Sequence, residues 1–274
     1  MNTNTSNGDG RPVILAAGCL LDHDAPTLVR AAAAAGFDGV GLRLSGEHAL
    51  PSDRRVDELR RMADDLGLAI HDAEVIRIDR TWSPTSVPPD SARRLLEAAA
   101  RIGATAILVV SDLPDEARTG EAVAALVEAA APLGLHVGLE YMAWTTPATP
   151  VGALAMAVAT GCRVVADVLH HVRVGAGVDE LRAVVDAGRL GWVQICDAAT
   201  AEAVELADVD RDALVREARH GRLPPGHGAL PLAELLAAVP TDTVVSVEVQ
   251  SDELLGLAPH ERARLLASTA RSLV

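Results

Sequence analysis

The sequence predicts a single (β/α)8 barrel of the α/β class, and three observations carry that expectation. The chain has 274 residues, close to the roughly 250 typical of that fold. One unit recurs along it: an Ala/Leu/Arg-rich helical stretch, a glycine, then a short β-branched run ending on a polar residue. The glycines are Gly36, Gly67, Gly103, Gly134, Gly161 and Gly188, spaced by about one βα unit of roughly 30 residues. A glycine just past a helix supplies the left-handed cap that turns the chain towards the next strand. Finally, the β-branched runs number eight. Most lack apolar/polar alternation, as strands buried on both faces do. An open, doubly wound sheet is the alternative for alternating helices and strands.

In chain order the strand runs are 13–17, 39–44, 69–78, 106–111, 136–141, 162–168, 191–197 and 244–249. Residues 1–11 are polar and rich in Gly, Asn and Thr. They lack the charged-then-apolar layout of a signal peptide and are expected to be a disordered tail. Residues 12–274 show no linker or shift in composition, so they are expected to form one catalytic barrel domain. The longest interruption, 198–225, is a charged stretch after the seventh strand and is expected to loop over the active site.

Composition excludes several classes. Apolar residues make up 49% of the chain and aromatics 2%, so a sizeable core must be built from Ala, Val, Leu and Ile. The net charge of −14 argues against nucleic acid or an anionic membrane surface, which reward clustered cations. No apolar run approaches membrane-spanning length. The chain contains no lysine, which excludes Schiff-base aldolases, lysine-anchored pyridoxal phosphate enzymes and Walker-type P-loops. Cys19, Cys162 and Cys196 are far apart and form no CxxC pair. They suit a reducing cytoplasm and small core positions.

In a barrel of this kind the C-terminal strand ends face the catalytic mouth. Those positions hold Arg43, Glu74, Ser111 with Asp112, Glu140, Asp167, Gln194 with Asp197, and Glu248. The fifth to eighth strands each end in an oxygen donor after a nearly unbroken apolar run: VGLE140, VVAD167, WVQ194 and VSVE248. Carboxylates converging there would repel one another unless a cation sat among them. The expected metal ligands are therefore Glu140, Asp167, Gln194 and Glu248. An all-oxygen set favours Mg2+ or Mn2+ over zinc. Salt bridges from Glu140 and Glu248 to Arg43, Arg173 or Arg222 are the competing account.

His170 follows Asp167 by three residues and is placed to act as acid, base or substrate hydrogen-bonder. The adjacent His171 is expected to point elsewhere, and His71 to be packed. His23 is a weak candidate at the mouth. His48, His136, His220 and His260 carry no placement signal. The turn R219-H-G-R222-L-P-P-G-H227-G enters a helix. Its arginines, with Arg43 and Arg173, are candidates to clamp a carboxylate or phosphate. Trp82 and Trp144 are candidates for an apolar wall, or for packing under loops.

Taken in order, GLE140-Y, AD167-V-L-H170, WVQ194-I-C-D197, PPGHG and SVE248-V, with AG36FDGVGLR43L upstream, resemble the sugar phosphate isomerase/epimerase family. That family belongs to the xylose-isomerase-like TIM-barrel superfamily, and the resemblance covers nearly the whole chain. It implies a metal at the four positions above, and substrate contacts from His170 and an arginine of the 219–222 stretch. Two departures stand out. Sugar epimerases of the superfamily usually place histidine where this chain has Gln194, which looks more like the 3-dehydroshikimate dehydratase branch. The usual PGEG turn reads PGHG here, with His227.

The expected chemistry is proton abstraction beside a metal-bound carbonyl of a sugar or polyol-derived hydroxy-ketone, with Glu140, Glu248 and His170 as acid–base groups. Arg43, Glu74, Arg173, Arg219, Arg222 and His227 are the expected substrate contacts. A dehydratase acting on a cyclic hydroxy-acid would share the enolate and then lose a β-hydroxyl. A non-catalytic barrel binding a small ligand is the alternative from another class. DNA hydrolysis, as in the superfamily's endonuclease branch, is discounted for want of zinc-binding histidines and a basic surface. A homodimer is compatible with the fold, though no stripe in the sequence points to one.

Overall fold

The computed structural model describes residues 10–44, 51–82 and 87–274. The expected tail therefore lies almost wholly outside the described residues, as does His48. The elements follow in order β1 (Val13–Leu15), α1 (Ala25–Ala35), β2 (Gly39–Arg43), α2 (Asp53–Asp65), β3 (Ala69–Ile78), α3 (Asp90–Ile102), β4 (Ala106–Ser111) and α4 (Glu116–Ala130). The second half continues with β5 (His136–Glu140), α5 (Pro150–Thr160), β6 (Arg163–Asp167), α6 (Val168–Arg173), α7 (Val178–Asp186), β7 (Leu190–Ile195), α8 (Arg211–His220), α9 (Leu232–Ala237), β8 (Val245–Val247) and α10 (Pro259–Arg271). Each strand pairs in parallel with its successor, and β8 pairs with β1, closing the barrel. The protein is a single (β/α)8 TIM barrel.

All six glycines singled out in the sequence have φ between 64° and 89°, the left-handed region that an L side chain resists. Six strands stop earlier than their apolar runs suggest, and only β3 and β4 end where expected. β1 gives way to a tight turn over Ala17–Leu20. β6 stops at Asp167, because that carboxylate caps the next helix. The long interruption after β7 is not a bare loop. It carries α8 and is tied down by antiparallel bridges Asp197–Leu223 and Gly221–Ser251.

Strand alternation puts every second side chain inside the barrel. At the C-terminal ends of β5, β6 and β7 the inward positions are Glu140, Asp167 and Gln194, and Glu248 follows directly after β8. Two residues earlier on the same inward face lie Gly138, Val165, Trp192 and Ser246, with Val165 paired to Trp192. The Trp192 ring fills this tier. It packs with Ala106, Leu108 and Val165 and meets the His71 ring edge-on at 5.2 Å. His71 is thus packed, as expected, and burial pushes its pKa down to about 4. Gly138 makes room for the indole, since a Cβ there would lie 2.3 Å from the ring.

Gly138→Ala is therefore expected to cost about 1–3 kcal/mol through overpacking, read as a lower urea midpoint at unchanged m-value. Adding Trp192→Phe should recover part of that loss. A Gly138→Ala protein as stable as wild type would mean that the indole does not occupy this tier.

Candidate metal and acid–base site

The mouth is built around Asp167. Its carboxylate begins α6 by accepting from the amides of Leu169 (2.8 Å) and His170 (3.4 Å) through Oδ1. Oδ2 accepts from Arg222 Nη1 at 2.7 Å. Both side chains are buried, at 0% and 3% exposure. Burial alone would raise the Asp167 pKa, but Arg222 and His170 outweigh it and hold the carboxyl below its ordinary value. Arg222 is held on all sides. Its Nε donates to Ala218 O (2.8 Å), and Nη1 also reaches Cys196 Sγ (3.2 Å) and Glu248 O (3.4 Å). Nη2 faces His170 Nε2 at 3.4 Å.

His170 points into the mouth, as the spacing from Asp167 suggests. Its Nε2 lies 3.8 Å from Glu140 Oε1 and 4.0 Å from Asp167 Oδ2, and Trp144 packs edge-on against its ring at 5.1 Å. Burial first, with Arg222 against it, lowers its pKa to about 4, despite the pull of Asp167. The imidazole is therefore neutral near pH 7. His171 turns away, bonding Tyr141 Oη (2.6 Å) and Gly177 O (2.8 Å).

Glu140 is buried, and no described residue donates a hydrogen bond to its carboxylate. Burial, then the charges of Asp167 and Glu248, raise its pKa well above the ordinary value. Glu248 is buried too, and burial pushes its pKa up to about 7, with Glu74 and Asp167 adding to the shift. Both Glu248 oxygens accept from amides: Oε2 from Gln194 Nε2 at 2.5 Å and Oε1 from Gln250 Nε2 at 3.2 Å. Gln194 Oε1 is buried with no hydrogen-bond partner. An orphaned carbonyl oxygen of that kind is costly unless something binds it. Donor atoms of Glu140, Asp167 and His170 all lie within 4.8 Å of one another. The cluster and the orphaned oxygen together suit a hard divalent ion.

The other expected contacts divide. Arg43 and Glu74 face one another on the β2–β3 side, with Nη2 and Nε at 2.5 and 3.1 Å from Glu74 Oε2. The Arg43 side chain remains 33% exposed. Arg173, expected to meet substrate, is instead buried against the excursion after β7. It donates to Glu217 (2.5 and 2.8 Å), Glu202 O and Thr200 O, so its donors are spent holding that segment. Arg219 and His227 are exposed outside the cluster, and His23 sits exposed beside Asp22. Ser111 bonds Thr119, and Asp112 takes Arg77. Asp197 accepts from the amides of Ala198, Gly226 and Leu230 and so pins the PPGHG turn.

Sequence reasoning missed Gln250, Gly18 and Asp72. Gln250 lies two residues past Glu248, a spacing that signals the same side. Gly18 packs on Glu248, and a Cβ there would fall 2.7 Å from Oε1. Nothing in the sequence signals that approach. Asp72 is buried below Glu74 on β3, and burial, then Glu74 and Glu248, raise its pKa well above the ordinary value.

The chain matches the family described as Xylose isomerase-like TIM barrel over residues 29–273. It belongs to that family. Among curated proteins of known function, none matches it. Its structural neighbours include a xylose isomerase-like TIM barrel/4-hydroxyphenylpyruvate dioxygenase fusion protein, at 23% identity and TM-score 0.73. That match takes in 93% of this chain and 41% of the fusion protein, so this chain spans about two fifths of it. The IolI protein with a bound zinc atom aligns at 15% identity and TM-score 0.76, over 96% of this chain and 98% of that one. D-allulose 3-epimerase from Methylomonas sp., in complex with D-allulose, aligns at 16% identity and TM-score 0.68, over 97% and 98%. At these identities the likeness is one of fold. Among the described residues, no helix is long and apolar enough to cross a membrane.

Two outcomes follow from the buried carboxyls. The Glu248 pKa is raised in the folded state, so the native protein holds that proton more tightly than the unfolded chain does. The contribution of this group to stability is then fully present below the ordinary carboxyl range and is lost as pH rises towards 7, by up to about 3 kcal/mol. Added Mn2+ should restore it, raising the melting temperature more at pH 8 than at pH 5. A rise independent of pH would argue against binding by these carboxylates. Separately, Gly18→Ala should displace the Glu248 carboxylate and weaken Mn2+ binding by about tenfold or more, measured by calorimetric titration.

Proposed function

We propose that the protein is a divalent-metal-dependent isomerase or epimerase of a sugar or polyol-derived hydroxy-ketone. The observation that carries this reading is a pair of buried carboxyls with raised proton affinity, Glu140 on β5 and Glu248 after β8, flanking the strand ends of Asp167 and Gln194. Glu140, Asp167, Gln194 and Glu248 would hold the ion, with His170 close beside them; Mn2+ or Mg2+ suits the oxygen donors. When bound, such an ion supplies Lewis-acid polarisation of a carbonyl oxygen.

The chain's own groups do the proton work. Glu140, its carboxylate free of hydrogen bonds from the described residues, removes a proton from the carbon beside the carbonyl, and the electron pair moves onto the carbonyl oxygen. The neutral His170 sits where it can donate to that oxygen or to a neighbouring hydroxyl. Glu248 takes a proton from solvent and returns it to that carbon from the other side of the mouth, while Glu140 gives its proton up to solvent, so one carbon is deprotonated and reprotonated on opposite faces. Arg43 and Glu74 offer a donor and an acceptor at the β2–β3 edge for substrate hydroxyls, and Trp144 gives an apolar wall beside His170. The epimerase in the fold comparison, solved with D-allulose, supports a polyhydroxy ketone as the substrate class.

One observation favours a second reading. Both Glu248 oxygens are already engaged by amides, leaving Glu140 as the unencumbered base with His170 at 3.8 Å. One base beside a neutral imidazole suits a dehydratase, in which His170 protonates a departing β-hydroxyl.

The test is solvent deuterium uptake, by NMR, on a panel of hydroxy-ketones with Mn2+-loaded protein. Exchange at the carbon beside the carbonyl with retained mass supports isomerisation or epimerisation; loss of water with an absorbing enone product supports the dehydratase. Glu140→Gln should lower the exchange rate by about 10²–10⁴-fold, whereas Arg219→Ala should leave it within about twofold. No exchange with any substrate, alongside tight metal binding, would leave a ligand-binding barrel.

A further inference from the structure

Among the described α-helices of this acidic chain, α5 alone, with the sequence PVGALAMAVAT, carries no charge. Val151 and Val158 are 67% and 59% exposed. They lie seven residues apart, hence on one side of the helix, and exposed Ala155 and Ala159 fill the stripe between and beside them. Leu154 and Met156 are half-buried at its margins. A contiguous apolar stripe of this kind marks a contact surface more often than free solvent exposure.

We propose that this face is where two copies of the chain meet. Three arguments select a second copy as the occupant. The chain's own remaining segments do not suit the role: residues 1–9, 45–50 and 83–86 read MNTNTSNGD, SGEHAL and SPTS, with at most two apolar residues in any one. A net charge of −14 sets two copies repelling each other over most of their surface, and an uncharged face is where approach costs least. A two-fold interface also sets a patch against itself. Valines and alanines meet their own kind without penalty, whereas a charged patch would not.

Helices α4 and α7 flank α5 and would complete the interface. They present exposed Glu128 on one side and exposed Asp179 and Arg182 on the other, a mixed polar rim around an apolar centre. The alanines allow close approach of the two α5 helices. A stable dimer covers about 800 Å² on each partner, more than α5 alone offers, so the rim helices take part. The barrel mouth stays free, because α5 lies on the outer ring.

Sedimentation velocity over a range of protein concentrations tests this, on wild type, Val151→Asp and Val158→Arg. The expected result is a dimer in wild type and a dissociation constant raised at least tenfold in each variant, with unchanged far-UV circular dichroism. A monomeric wild type at high micromolar concentration, or a dimer indifferent to both substitutions, overturns the proposal. Should the variants misfold, Ala155→Cys decides. Cys19, Cys162 and Cys196 are all buried, so a short bis-maleimide should cross-link only through the new thiol. Covalent dimer forming at low protein concentration supports the face, and its absence overturns it.

Discussion

The mouth of this barrel depends on the buried ion pair between Asp167 and Arg222. Two charges have been taken out of water there, which costs several kcal/mol for each unless further hydrogen bonds complete their shells. Both shells are nearly complete. Asp167 takes two amides at the start of α6 as well as the guanidinium, and Arg222 gives its other protons to Ala218 O, Cys196 Sγ and Glu248 O. One contact therefore ties β6 and α6 to the return of the long excursion and to the end of β8. Breaking it by removing one partner would strand the other as an unpaired buried charge, so the arrangement resists partial opening.

The excursion after β7 is held by the same logic at a second point. Arg173, at the end of α6, spends its donors on Glu217 and on two backbone carbonyls of that segment. The two arginines look alike in the sequence, and both were reasonable substrate contacts. Their difference comes from where the chain returns: Glu217 on α8 comes back over Arg173, which no local pattern encodes. Arg219 and His227 failed to join the cluster for a related reason. They lie on the outer side of α8 and of the Pro/Gly turn, and Asp197 fixes that turn through backbone amides.

Much of the fold was legible because it is repetitive. Helix, left-handed glycine and apolar strand recur at nearly constant spacing, and each repeat constrains the next. The strand-end donors were legible for the same reason: a polar residue closing a fully buried run has few places to go except the mouth. The middle tier of the barrel was not legible. Trp192 needs Gly138 two strands away only because the closed sheet brings β5 and β7 to one cavity. Asp72 was hidden by the irregular pairing of β3, which breaks the two-residue alternation on both of its edges. Gly18 carries no signal at all, since its role is to be absent where Glu248 needs space.

The departure at Gln194 gains its meaning from these contacts. An amide can donate and accept at once, and here Nε2 holds Glu248 Oε2 while Oε1 is left without a partner. An imidazole could make the same pair of contacts, but its acceptor would be a borderline nitrogen and the ring could take up a proton. The amide carries no charge at any working pH. It therefore fixes Glu248 without adding charge; Arg222 answers Asp167 and Arg43 answers Glu74, so the remaining repulsion around Glu140 and Glu248 is relieved by bound protons or a bound cation. That ties the proton affinity of Glu140 and Glu248 to occupancy of the site. A divalent ion at this site would favour the ionised carboxyls, whereas burial and mutual repulsion alone favour their protonated forms.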